Sequence, residues 1–289
     1  MLYPFLDPPY RMRMSLRPLD HADWLVIDDD FAANLAEKER LLAERHGEVF
    51  AALPEAEAGS REVLERLAAH LVERFPNHYR LDRATLVRLC DDRAFDLDQR
   101  AIHSLDLAGR LVQEDLCLLR DGVLVGASLC FPTRWRLAEK LGRPLAAIHA
   151  PVPGFAATLA ESVERFFEYL APSQGVWRAN WGIADDPALF QPSGHFRDGI
   201  DEAITARNAG EKLWLRVERQ TLTRLPRSRD VLFTIRVLQE PLARTGADRE
   251  RAAELAALIR SMPAEFKRYK SILPFEDAIL RFLDAAASG

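Results

Sequence analysis

Asp121-Gly122 constrains this chain more than any other pair of residues, because of what lies on either side of it in Leu111 to Gly154, LVQEDLCLLRDGVLVGASLCFPTRWRLAEKLGRPLAAIHAPVPG. Asp-Gly between two runs rich in Leu, Val and Cys is a strong hairpin signal, since both central residues of the tight turn must accept positive φ. The two runs are therefore expected to pair antiparallel. In the second run Val123, Val125, Ala127, Leu129 and Phe131 fall on one face, and Gly126, Ser128 and Cys130 leave the other with little bulk, so that a flat ligand could lie there. After Pro132, Thr133 offers an N-cap, Thr133 to Leu141 carries apolar residues at helical spacing, and Gly142 supplies a stop. The chain then brings out His149 between Ile148 and two prolines, Pro151 and Pro153, which stiffen its backbone.

Around this stretch the periodicity changes in a definite order. Residues 1 to 29 are punctuated by proline and read as an arm laid on the core. Helical spacing governs Phe31 to Phe50, Ser60 to Arg74 with Val63, Leu64, Leu67, Leu71 and Val72 on one stripe, and Asp82 to Cys90. Beyond the hairpin, Phe155 to Leu170 is a helix with Leu159, Val163, Phe166, Phe167 and Leu170 inward. The period returns to two in GVWRANWGIA, Gly175 to Ala184. A loop-like segment, Asp185 to Gly210, leads to strands at Lys212 to Leu225 and Asp230 to Leu238. The last helical patterns, Asp248 to Ser261, Pro263 to Ser271 and Pro274 to Ala287, are read as packing apolar stripes rather than carrying chemistry. Together these predict an α+β fold with a five-stranded antiparallel sheet. Helices inserted after the second strand are the order of a PAS domain, an analogy that says little about function by itself. The expected division is an arm and helical region over 1–105, a PAS-like core over 106–240 and a C-terminal helical extension over 241–289, in one compact unit.

Composition narrows the class. With 289 residues, 48% of them apolar, the chain can bury a sizeable core without staples. Cys90, Cys117 and Cys130 are odd in number and lack metal-ligand spacing, which suits buried thiols in a reducing compartment. A net charge of −5 argues against a general nucleic-acid binder. Nowhere do about 18 apolar residues run together, and the N-terminus has no signal-peptide pattern, so a soluble cytoplasmic protein is expected, with no membrane and no nucleic acid among its partners. Arginine outnumbers lysine 34 to 5 among the 39 basic residues, and arginine suits bidentate contacts to carboxylates.

LVQEDLCLL, CFPTRW, EKLGRPLAAIHAPVPG, RANWGI and LRVERQTLTRLP, in this order and with SLRPLD near the start, resemble the family of the haem-dependent oxidative N-demethylase alpha subunit. The resemblance covers roughly Met14 to Glu240. It implies a PAS-like fold holding haem b, and oxidation by dioxygen of a methyl group on a small secondary amine such as dimethylamine, giving the lesser amine and formaldehyde. Electrons would come from NADPH through partner subunits carrying FMN and a two-iron iron–sulfur cluster. The sequence agrees in having neither a dinucleotide glycine fingerprint nor a four-cysteine set of its own.

Particular residues then become candidates. A haem iron needs a neutral imidazole whose other nitrogen is oriented by a hydrogen bond. His149, ahead of the long helix, is the expected metal ligand, while His103 and His195 stay open and His21, His46, His70 and His78 read as solvated or capping. The propionates suit Arg216 or Arg219, with Arg224 and Arg143 as further choices. Arg216 and Arg219 lie on opposite faces of their strand and cannot easily enter one pocket together. Arg178 and Trp181 are placed in the cofactor site. Glu114, Asp115 and Glu218 are carboxylates in otherwise apolar strands that could hold a substrate ammonium, with Trp135, Trp177 and Trp181 as aromatic faces; the bland alternative is that they pair with arginines. Asn180 and Arg178 could donate to dioxygen, so the catalytic set is Glu114, Asn180 and Glu218. Arg134, Arg136, Lys140 and Arg143, on the expected short helix, form a rim for a reductase. A haem-binding sensor and a haem-less interaction subunit are the alternatives to an enzyme.

Overall fold

In the computed structural model, residue 3, residues 8–172 and residues 174–289 are described; the rest of the expected arm's first seven residues lies outside them. Ten strands form among the described residues: β1 (Arg17–Leu19), β2 (Phe50–Ala52), β3 (Tyr79–Asp82), β4 (Thr85–Arg88), β5 (Arg93–Asp96), β6 (Asp115–Arg120), β7 (Val123–Ser128), β8 (Gly175–Ala184), β9 (Trp214–Arg224) and β10 (Val231–Pro241). Asp121 and Gly122 turn with φ of +50° and +75°. This joins β6 to β7 as the Asp-Gly signal requires. The large sheet is antiparallel and runs β1-β8-β9-β10-β6-β7-β2.

The fold is α+β, but the sheet has seven strands where five were expected. The five read from the sequence are the central ones. Three-residue strands from the arm and from the segment after the first helix pair with β8 and β7 and cover their edges. Strands so short carry too little alternation to be read. A second difference is Asp82 to Cys90, which is no helix. Arg83 takes φ of +54°, and β4 pairs with β3 and β5 in a separate three-stranded sheet, with Leu86 and Arg88 turned inward. Thr133 to Leu141 keeps only one 3-10 turn, Leu137–Glu139, because Arg134 sits at φ +62° and Thr133 bridges to Gln191 instead of starting a helix. The long helix breaks at Leu159 into Phe155–Thr158 and Ala160–Tyr169.

The two faces of the large sheet have different partners. Register puts Arg178 opposite Gln220, Asn180 opposite Glu218 and Gly182 opposite Arg216 on one face, and Ala179 opposite Arg219 and Trp181 opposite Val217 on the other. On the second face one core joins Trp24, Leu35, Val63 and Leu67 to Leu116, Leu118 and Leu232. A second core packs Trp181, Leu215 and Val217 on the C-terminal helices through Leu255, Ile259 and Leu283. The small residues of β7 serve this packing rather than a flat ligand. A Cβ on Gly126 would lie 3.2 Å from Ala56 and 3.3 Å from Leu105, and one on Gly109 would fall 2.0 Å from the Ser128 hydroxyl. Helix Ser104–Gly109 therefore occupies the space next to Ser128.

His70 is buried in the first core with neither ring nitrogen hydrogen-bonded, edge-on to Trp24 at 5.0 Å and to His21 at 4.9 Å. Burial, then the charges of His21, Arg74 and Arg66, push its pKa from 6.5 down to about 4. Below about pH 6.5 the unfolded chain takes up a proton that the folded chain refuses, so stability is full above that pH and falls as it drops toward 4. The folded state is expected to lose about 2 kcal/mol near pH 5 through this group. Urea unfolding should show His70→Leu losing less stability than the native chain between neutral pH and that point; equal losses would contradict it.

Candidate functional site

The first face of the sheet fronts a cavity of about 820 Å3. Its floor is β6, β8, β9 and β10. Its walls are the segment from Thr133 to Phe167, the arm from Tyr10 to Arg17, and the C-terminal residues Leu258, Phe266, Tyr269 and Lys270. Leu159, Val163, Phe166 and Phe167, the stripe read as inward, supply apolar wall.

His149 ends the helical turn Leu145–Ile148, and its Nδ1 lies 2.8 Å from the Leu145 carbonyl oxygen. A carbonyl only accepts, so Nδ1 carries the hydrogen and Nε2 keeps its lone pair for the cavity that the ring lines. The ring is stacked on Phe155 at 4.6 Å and 13°, and burial lowers its pKa. The result is a neutral, oriented imidazole, which is what a metal ligand needs. His195 repeats the pattern. Its Nδ1 donates to the Tyr269 carbonyl at 3.1 Å, it stacks on that residue at 5.0 Å and 16°, and burial again lowers its pKa. Both line the cavity. His103 does not: it caps helix Ser104–Gly109 by accepting from the Leu105 amide at 3.2 Å and lies 3.3 Å from Glu57.

The arginines separate by face. Arg178 lines the cavity, makes no hydrogen bond among the described residues, and has a buried, unpartnered Nε; burial lowers its pKa. A desolvated guanidinium without an acceptor calls for an anion. Arg216 also reaches the cavity, but its fork is spent on Thr133 Oγ1 at 3.0 Å and on the carbonyls of Phe131, Ala188 and Leu189 at 3.1, 3.2 and 2.8 Å. Burial pushes its pKa down to about 10. It ties two loops to β9 and has no donors left for a propionate. Arg219 points to the other face and donates to the carbonyls of Asp23 and Trp24. Arg224 holds the carbonyls of Phe167, Leu170 and Arg229. Arg143 is exposed.

Of the carboxylates, Glu218 alone lines the cavity among the described residues. Its Oε2 accepts from Gln220 Nε2 at 2.8 Å and Asn180 Nδ2 at 3.4 Å, leaving Oε1 without a hydrogen bond. Glu114, read as catalytic, lies away from the cavity, buried, accepting from the Val26 amide at 3.0 Å; burial raises its pKa. Asp115 accepts the Cys130 and Phe131 amides at 2.8 Å each and faces Lys38. Period two told which residues share a face but not which face the helices cover. Trp177 packs against the guanidinium groups of Arg17 at 5.4 Å and Arg219 at 5.7 Å.

Sequence reasoning missed Lys270. It follows the C-terminal helix Ala264–Tyr269, and its ammonium donates to Asn180 Oδ1 at 3.1 Å and to the Trp181 carbonyl while lying 5.3 Å from the Trp181 ring centre. Burial pushes its pKa down to about 8. Lys140, expected on an outer rim, also lines the cavity, over the Trp135 ring at 4.5 Å, and makes no side-chain hydrogen bond or ion pair among the described residues. Arg134, expected beside it, is buried on the carbonyls of Lys270 and Ile183. A signal was present: only five lysines occur, and two line this cavity. Tyr10 and Tyr269 close the same end, and burial raises both phenols to about 12.

A comparison with protein-family models matches residues 15–280 to the family described as haem-dependent oxidative N-demethylase, alpha subunit-like. The matched span holds both histidines, Glu218, Lys140 and Lys270, but not Tyr10.

Proposed function

The chain belongs to the haem-dependent oxidative N-demethylase alpha subunit-like family, and on that premise we propose that its cavity holds haem b through His149 and that the loaded chain oxidises an N-methyl group of a small amine, dimethylamine being the simplest. The observation that carries the reading is the neutral His149 ring, fixed through Nδ1 with Nε2 left to a cavity of about 820 Å3. Size and donor set both fit: ligand pockets commonly measure about 300–1,000 Å3. Arg178, half-buried with an Nε that has no partner among the described residues, offers a cation to a propionate, and the Leu145–Phe167 wall supplies apolar contact for the macrocycle. The order β7-β6-β10-β9-β8 in the central sheet supports the PAS-like reading of this core.

Bound haem would supply, with dioxygen and two electrons from outside, oxidation of the methyl carbon to the level of formaldehyde. The protein's own groups position the substrate. Glu218 Oε1 receives the amine's N–H, and Gln220 and Asn180 keep the carboxylate from turning away. Lys270 holds Asn180 by its carbonyl oxygen, so the amide is fixed with its nitrogen toward Glu218. Tyr10 and Tyr269 narrow that end against water.

Electrons would come from NADPH through partner subunits with FMN and a two-iron cluster, in the cytoplasm, where three free cysteines are at home. Of the rim proposed for docking, only Arg136 and Arg143 face outward, since Arg134 and Lys140 turn into the cavity. No helix of the described residues is long and apolar enough to cross a membrane.

Aerobic incubation of haem-loaded protein with dimethylamine and a reductase should release formaldehyde in proportion to NADPH consumed. Haem that is reduced by the partner and reoxidised without formaldehyde would favour a sensor.

A further inference from the structure

We propose that the amine taken by this cavity carries a carboxylate, as an N-methyl amino acid does, with its ammonium on Glu218 and its carboxylate on Lys140 and Lys270. The inference rests on the functional reading above and narrows its substrate class. Glu218 is the single carboxylate among the described lining residues, yet Lys140, Arg178, Arg216 and Lys270 all stand within its electrostatic reach. The cavity is therefore already cationic. A bare dialkylammonium would add one more positive charge to a poorly solvated space in which the single carboxylate among the described lining residues is shared among four cations.

The cations differ in what they still have to give. Arg216 has spent its fork on backbone and Thr133. Arg178 makes no hydrogen bond among the described residues and fits a propionate. Among the described residues Lys140 has no hydrogen-bond partner, only the face of Trp135, and Lys270 has used two of its three N–H bonds, on Asn180 and Trp181. After Arg178 is taken, two ammonium groups remain in the same cavity as one carboxylate oxygen that accepts no hydrogen bond among the described residues. A zwitterion of one amine and one carboxylate satisfies that arrangement, and an uncharged or purely cationic amine leaves the lysines unanswered. A chain that uses arginine 34 times and lysine five times also places two of those lysines here. A lysine presents compact donors on a flexible stem, so that two of them can each meet one oxygen of a small carboxylate.

The test titrates haem-loaded protein with N-methylglycine, N-methylglycine amide and dimethylamine, reading the Soret band and the heat of binding. N-methylglycine should bind at least tenfold more tightly than either of the others, and Lys140→Met should abolish that preference while retaining haem. Equal binding of the acid and its amide, tighter binding of dimethylamine, or loss of haem from Lys140→Met would overturn the assignment. If the native chain takes up no haem, the functional reading fails separately, and calorimetry on the haem-free chain still measures the acid-to-amide ratio.

Discussion

Replacing Lys38 by Met is expected to cost the fold about 3–5 kcal/mol, the range seen when one partner of a buried ion pair is removed. Lys38 and Asp115 are both inaccessible, with Nζ 3.6 Å from Oδ1. The ammonium also donates to the carbonyl oxygens of Gly109, at 3.2 Å, and Glu114. Asp115 accepts two backbone amides, Cys130 and Phe131, at 2.8 Å each. Without the lysine, burial, which already raises the Asp115 pKa, acts with less opposition, and a carboxyl driven to its protonated form no longer accepts from both amides. The damage reaches the cavity, because the carbonyls of Phe131 and Pro132 are among those that hold Arg216. A variant whose Asp115 is protonated only when folded loses that contribution as pH rises, so the deficit should be smaller near about pH 5 than about pH 8. Urea unfolding measures it. A loss under about 1 kcal/mol would show that the pair is dispensable.

The parts of the fold that were legible are those fixed by neighbours in sequence. Asp121-Gly122 gave the hairpin because turn chemistry is local, and Asp248 caps helix Arg249–Ser261 by accepting from the Arg251 amide at 3.2 Å. Alternation in LRVERQTLTRLP put Arg216 and Arg219 on opposite faces, while only the register of the folded sheet brings Asn180 opposite Glu218. What sequence could not supply was the covering of those faces. Glu114 and Glu218 look alike as carboxylates in apolar strands, yet one meets the Val26 amide and the other the cavity. Lys270 reaches Asn180 across 90 residues, a contact with no local signature. Thr133 to Leu141 has helical spacing, but the Arg134 guanidinium is held by Lys270 and Ile183, and those distant carbonyls outweigh a weak local preference.

The second large effect concerns His149 and haem. The ring's orientation is set by the Leu145 carbonyl and by Phe155, so the alanine variant removes the proposed ligand and leaves the wall that shapes the cavity. The rival is His195, whose ring is held by Tyr269 of the C-terminal segment and whose pKa burial also lowers. The measurement that separates them is the absorption spectrum of native protein, His149→Ala and His195→Ala, each supplied with haemin, reduced and exposed to carbon monoxide. Native protein and His195→Ala should show a Soret band that shifts with carbon monoxide, and His149→Ala should lose haem on gel filtration while keeping its far-ultraviolet circular dichroism. A colourless native protein, or a His149→Ala variant that keeps the native spectrum while His195→Ala loses it, would contradict the account.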